Sequence, residues 1–280
     1  MERLRSARIL LAVVLVTLAL LPFHLLALAL SLPMRKHIPV LWHRSVAWVF
    51  GIKIHVHGCR AQSPHGVMLA ANHVSWLDIL ALGATGPVSF IAKDDVAAWP
   101  VFGWLAKWQE TIFIARDRRA STRKQISAIG ARLDDGDTLL LFPEGTTSDG
   151  NVVYPFKSAH FGAVGITGEA ANGHPIVQPV AIAYTRWHGM PMGRFDRPLA
   201  AWPGDLELIP HLTHILRDGV LDVDVVFGAP TTIAPGADRK ALTRQMEHEI
   251  RTMVSAALRG RLASSKADMN ALHSADDDTQ

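Results

Sequence analysis

At 280 residues the chain can form one large domain or two small ones, and 49% hydrophobic against 19% charged residues leaves apolar content beyond what a core needs. The net charge of +3 and pI of about 9.2 suit an anionic membrane surface. No recognised nucleic-acid motif accompanies that charge, which argues against nucleic acid as a partner. The single Cys59 excludes an intrachain disulfide and a cysteine-based metal cluster.

The apolar surplus sits at the start. Residues 9–32 contain no Asp, Glu, Lys or Arg, a run long enough to cross a bilayer and too long for a signal-peptide core. Arg3, Arg5 and Arg8 precede it and Arg35 and Lys36 follow, so both flanks carry the charge that favours the cytoplasmic side. Pro22 and His24 interrupt it, and Pro can kink a helix. Two arrangements fit: one spanning helix, or a bent pair that dips in and returns to the same face. The second is preferred, with the rest of the chain on the cytoplasmic face of the inner membrane. Residues 38–54 mix Trp42, Trp48 and Phe50 with His43, Arg44 and Lys53 and read as an interfacial helix, so that 1–54 forms a membrane anchor.

Strand-like runs follow at 52–57, 67–71, 88–92, 111–114, 138–142, 176–184 and 221–227, and helix-like runs at 75–84, 95–108, 119–135, 158–171, 205–217 and 237–260. Their alternation predicts a single α/β domain over 55–262, with a mixed, largely parallel sheet flanked by helices. The run at 95–108 carries Trp99, Trp104 and Trp108 and reads first as a core-facing helix, and second as a membrane-facing edge. Residues 263–280 are polar, end in Asp276-Asp277-Asp278 and read as a disordered tail.

Three segments carry chemistry. The strand at 67–71 leads into Asn72-His73-Val74-Ser75-Trp76-Leu77-Asp78. His73 falls in the turn between strand and helix, where Asp78 in the first helical turn can reach one ring nitrogen and fix the tautomer of a general base. The competing reading makes Ser75 and Asp78 a capping box and His73 an ordinary loop residue. The strand at 138–142 runs into Pro143-Glu144-Gly145-Thr146-Thr147-Ser148, a polar loop able to hold a head group. The strand at 111–114 leads to Arg116, whose guanidinium can grip phosphate or carboxylate.

Together these segments resemble the glycerolipid acyltransferase family that includes 1-acylglycerol-3-phosphate acyltransferases. His73 and Asp78 match its H-x-x-x-x-D motif, Phe113-Ile114-x-Arg116 the second block, Phe142-Pro143-Glu144-Gly145-Thr146-Thr147-Ser148 the third, and Val177-Gln178-Pro179-Val180-Ala181-Ile182 the fourth, in family order. The resemblance implies direct transfer of a fatty acyl chain, from an acyl carrier protein or coenzyme A thioester, to the hydroxyl of a lyso-lipid. His73 and Asp78 would be catalytic. Arg116, Glu144, Gly145, Thr146 and Thr147 would bind the acceptor, and no metal or organic cofactor is implied. Glu110 and Ala115 stand where the second block often has Gly and Asp, which weakens the case for a lysophosphatidate head group. Residues 184–191 and 201–205 are similar to the bacterial subgroup that acylates lyso-ornithine lipid, and both acceptors remain open, with that one favoured.

No G-x-S-x-G accompanies a serine-hydrolase reading. The 14 His residues, among them the His55/His57 and His211/His214 pairs, lack the companions of a zinc motif. A non-catalytic membrane-anchored lipid-binding or scaffold protein explains the anchor, but leaves the order of His73, Arg116 and Glu144 as coincidence.

Overall fold

Helix α1 (Glu2–Ala29) carries the apolar run without a break, and Pro22 sits inside it. The chain reverses later, through a 3-10 turn at Pro33–Lys36, into α2 (Ile38–Phe50). Pro39 in the first turn of α2 and a left-handed Gly51 (φ 80°) just past its end set its limits. Then follow β1 (Ile52–His57), β2 (Val67–Ala71), α3 (Leu77–Thr85), β3 (Ser89–Lys93), α4 (Phe102–Trp108), β4 (Ile112–Ile114), α5 (Arg119–Asp134) and β5 (Thr138–Leu141). The second half holds β6 (Ile176–Trp187), β7 (Met190–Pro191), α6 (Leu208–Asp218), β8 (Leu221–Phe227), β9 (Thr231–Thr232) and α7 (Arg239–Leu258). The structure is a computed structural model and describes residues 2–114, 119–162, 174–204, 206–234 and 236–262.

The sheet has the order β1-β8-β6-β2-β5-β3-β4, with β7 and β9 paired to β6. It is mixed and mostly parallel: β6, β2, β5, β3 and β4 run one way, and β8 and β1 the other. All five residues of β2 are buried, as expected for a central strand covered on both faces. Val67, Leu69 and Ala71 enter one core with α2, α3 and α6, while Met68 and Ala70 enter a second core with α5 and α7. The expected α/β architecture is therefore present.

Besides the bend expected at Pro22, which the unbroken α1 replaces, two expectations change. The run at 95–108 is not a core helix. It divides into a 3-10 turn at Asp94–Ala98 and the short α4, separated by a left-handed Val101. Only Gly103 of α4 is buried, and Trp104 is 66% exposed. The helix expected at 158–171 is a 3-10 turn at Ser158–Gly162, and its remainder lies outside the described residues, as does the tail at 263–280.

Helix α1 lies along the domain from end to end. Arg5 donates to the backbone oxygens of Leu216 and Gly219 at the end of α6. Trp42 Nε1 donates to Thr17 Oγ1 at 2.9 Å, and His24 Nε2 lies 2.9 Å from the Trp108 carbonyl. The following turn is pinned by Lys36, which pairs with the buried Asp137. Ile9, His24 and Ala27 are buried on the docked side, while Leu11, Leu15 and Leu18 are about 60% exposed on the other.

Candidate active site

Three strand ends build the site. His73 follows β2, the Phe142-Pro143-Glu144 turn follows the neighbouring β5, and β6 runs on beyond both to bring in Tyr184. Ligands of open α/β sheets gather at such carboxyl ends. Asn72 pins the loop to β6: its side chain donates to Ile182 O at 2.9 Å and accepts from Ile182 N at 2.8 Å.

His73 Nδ1 lies 2.8 Å from Asp78 Oδ2. That oxygen also accepts from Val74 N at 2.7 Å and Ser75 N at 3.0 Å, and Oδ1 accepts from Tyr184 Oη at 2.7 Å. Asp78 is fully buried and surrounded by donors. A carboxylate facing that set accepts only, so Nδ1 carries the proton and Nε2 presents a lone pair. Burial, and then the Asp78 charge, push the Tyr184 hydroxyl well above its ordinary pKa, which keeps it a donor. The His73 ring stacks on Phe142, with centroids 3.9 Å apart and planes 14° apart. Ring stacking and the Nδ1 bond fix its orientation. No group among the described residues engages Nε2, and the side chain is 19% exposed.

The capping reading is half realised. Asp78 does reach back to the Ser75 amide, but the buried Ser75 Oγ has no partner among the described residues, and α3 starts after Trp76 with no side-chain cap. The carboxylate therefore serves the amides of the turn and the His73 ring at once.

The loop after β5 turns mostly inward. Glu144 is 1% exposed; its Oε1 accepts from His73 N at 2.7 Å and its Oε2 from Tyr154 N at 2.6 Å. Burial pushes its carboxyl up to about 7 despite those two donors. Gly145 turns the chain at φ 70°, a left-handed value favoured by glycine. Thr147 Oγ1 donates to Trp202 O, Trp202 N donates to Val74 O at 2.9 Å, and Ser148 N donates to His73 O at 2.9 Å. Thr146 is the exposed hydroxyl of the loop. The structure thus gathers His73, Asp78, Glu144, Gly145, Thr146 and Thr147, while Arg116 lies outside the described residues. Phe142, Tyr184 and Trp202 were not singled out as site residues. The available signal for Tyr184 was a polar-tipped ring, one of 2 Tyr in the chain, at the end of an aliphatic strand.

Two half-open hollows lie elsewhere. One of about 100 Å³ touches Arg35, Lys36 and Asp137 at the opposite end of the sheet, and one of about 60 Å³ lies between α1, α2 and α4. Beside the His73 loop, Trp202, whose N–H is bonded to Val74 O, meets Trp99 edge-on with ring centroids 6.1 Å apart. The remaining histidine pairs are engaged with other groups: His55 with Asp222, His57 with Asp224, and His211 with Trp76 Nε1.

The sheet thus ends in an oriented imidazole, with no Ser or Cys side chain bonded to it among the described residues. A family model described as acyltransferase matches residues 53–183. The chain is 50% identical over 251 residues to a lyso-ornithine lipid O-acyltransferase of Brucella abortus, covering 89% of this chain and 94% of that protein. It is 46% identical to the protein of that name from Rhizobium meliloti, covering 89% and 85%. The crystal structure of the 1-acyl-sn-glycerophosphate acyltransferase of Thermotoga maritima shares the fold at a TM-score of 0.59 and 20% identity, over 92% of this chain and 98% of that one. The chain belongs to the acyltransferase family and is an enzyme of that class.

Proposed function

We propose that this chain is a membrane-bound enzyme that acylates the 3-hydroxyacyl hydroxyl of lyso-ornithine lipid, using the thioester of acyl carrier protein or coenzyme A as donor. The observation that carries the reading is the His73–Asp78 pair with Nε2 unengaged. His73 Nε2 takes the acceptor's hydroxyl proton, and the oxygen attacks the thioester carbonyl. The tetrahedral intermediate collapses with loss of the thiolate, which takes the proton back from the imidazolium. An ester and a free thiol result, with no acyl-enzyme on the path. Asp78 stabilises the imidazolium while it exists. Glu144 and Thr147 shape the turn, and Thr146 and Arg116 meet the acceptor. The reading needs no metal or organic cofactor.

Identity to the two lyso-ornithine lipid enzymes over most of the chain supports that acceptor over lysophosphatidate. Relatives named 1-acyl-sn-glycerol-3-phosphate acyltransferase keep the second acceptor in view: the one from Neisseria gonorrhoeae is 36% identical over 194 residues. The test offers purified enzyme both acceptors, each with both thioesters. Acylation of lyso-ornithine lipid well above lysophosphatidate is expected. Preference for lysophosphatidate would reassign the acceptor, and consumption of neither would leave the scaffold reading.

The membrane reading rests on α1. Its two ends are tied to α6 and α4, so a crossing α1 would drag charged parts of the domain through the bilayer. A helix lying in the surface of one leaflet, with the turn at Pro33–Lys36 and both ends cytoplasmic, avoids that cost. Exposed Trp48 and Trp104 suit the same apolar boundary. The triple variant L11K/L15K/L18K changes only the exposed side of α1 and is expected to move the protein from membranes to the soluble fraction, with its circular dichroism unchanged. Unchanged sedimentation with membranes would sink this arrangement.

A further inference from the structure

The acceptor just proposed ends in an ornithine head, which carries a carboxylate and an ammonium a few bonds apart and no phosphate. We propose, resting on that reading, that Asp149 and Arg197 form its subsite, Asp149 taking the ammonium and Arg197 the carboxylate.

Both residues lie beside the base. Asp149 directly follows Ser148, whose N–H is bonded to His73 O. At Gly150 a Cβ would stand 3.4 Å from Val74 Cγ1 and 3.5 Å from Arg197 Cβ, so the 149–151 turn, Arg197 and the His73 loop are packed together. The two charges do not meet directly. Asn151 stands between them, accepting from Arg197 Nη1 at 3.0 Å and donating Nδ2 to Asp149 Oδ2 at 3.2 Å. An anion and a cation held apart by one amide match a zwitterion whose own charges are separated. A phosphate monoester dianion meets the same pair with one attraction and one repulsion.

Both groups bond within the turn through Asn151, and both keep bonding capacity beyond it. The Asp149 carboxylate is partly exposed, and its other bonds are the local turn to Asn151 N at 2.9 Å. Although burial works against its charge, the amides of Asn151 and Val152 hold it ionised below its ordinary range. Arg197 Nε is buried, and no acceptor among the described residues meets it. Burial lowers the guanidinium from its usual value while Asp149 opposes the shift. A half-buried guanidinium with one nitrogen unpaired gains from a ligand carboxylate.

The test uses full-length enzyme in vesicles, with one thioester donor and three acceptors: lyso-ornithine lipid, its δ-N-acetyl derivative and its methyl ester. The wild type is expected to lose about tenfold in kcat/KM on each derivative, the scale of one hydrogen bond to a charged group. D149N keeps the Oδ1 acceptor of the turn but not the charge. It is expected to lose about tenfold on the parent lipid and nothing further on the N-acetyl derivative. R197Q is expected to show the same pattern with the methyl ester. Wild-type enzyme that uses the parent and both derivatives equally would overturn the subsite while leaving the acceptor assignment in place. So would variants that lower all three acceptors alike. Wild-type enzyme that acylates lysophosphatidate and none of the three would overturn the acceptor assignment itself.

Discussion

His73→Ala is expected to lower acyl transfer by about a hundred- to ten-thousandfold, the usual contribution of a positioned general base. Fold and membrane association should be unchanged. The side chain is partly exposed, and its ring bonds only Asp78 and rests on Phe142. The backbone bonds at His73, to Glu144 and from Ser148, survive the substitution. The polar ties of helix α1 described above run to α2, α4 and α6. Thioester turnover with each acceptor, beside sedimentation and thermal unfolding, separates these effects. A variant that loses activity only because it unfolds would not bear on the base.

The second large effect divides Asp78 into its structural and chemical parts. Asp78→Ala leaves the His73 ring, two backbone amides and the Tyr184 hydroxyl without an acceptor at a fully buried site. Orphaned donors of that kind destabilise by about 3–5 kcal/mol, so the variant should unfold well below the wild type. Asp78→Asn is different. Its amide oxygen can replace Oδ2 for His73, Val74 and Ser75, and its NH2 can donate to the Tyr184 oxygen. Stability should stay near that of the wild type, but the charge opposite the imidazolium is gone, and activity should fall about a thousandfold. Wild-type turnover by D78N would remove electrostatic support from the account. Wild-type stability of D78A would contradict the buried network.

Much of this was legible in the sequence because the decisive patterns are local. The runs at 52–57, 67–71 and 221–227 are the strands observed, since short apolar segments between turn residues have few other solutions. The pairing of His73 with Asp78 depends on five positions of spacing across a strand-to-helix turn. Tyr184 was not readable because it meets Asp78 from 106 residues away, through the register of β6 on β2. The tryptophans at 99–108 misled for a general reason. A side chain facing lipid and one facing a core have the same composition, and only the tertiary packing shows that α4 buries just Gly103. Pro22 misled in the opposite way: a single proline does not end a long apolar helix, and the reversal came at the 3-10 turn that follows it. The strands β7 and β9 have two residues each, too short to leave a period.

In the proposed reaction His73 activates the acceptor's own hydroxyl. The most direct measurement of that role is free-thiol release by wild type and H73A, each given an acyl carrier protein thioester with and without lyso-ornithine lipid, followed by the intact mass of the enzyme. Thiol release is expected from the wild type only when the acceptor is present, almost none from H73A in either condition, and no acyl adduct on either protein. Thiol release by H73A at the wild-type rate, or an acylated enzyme formed from the donor alone, would contradict it.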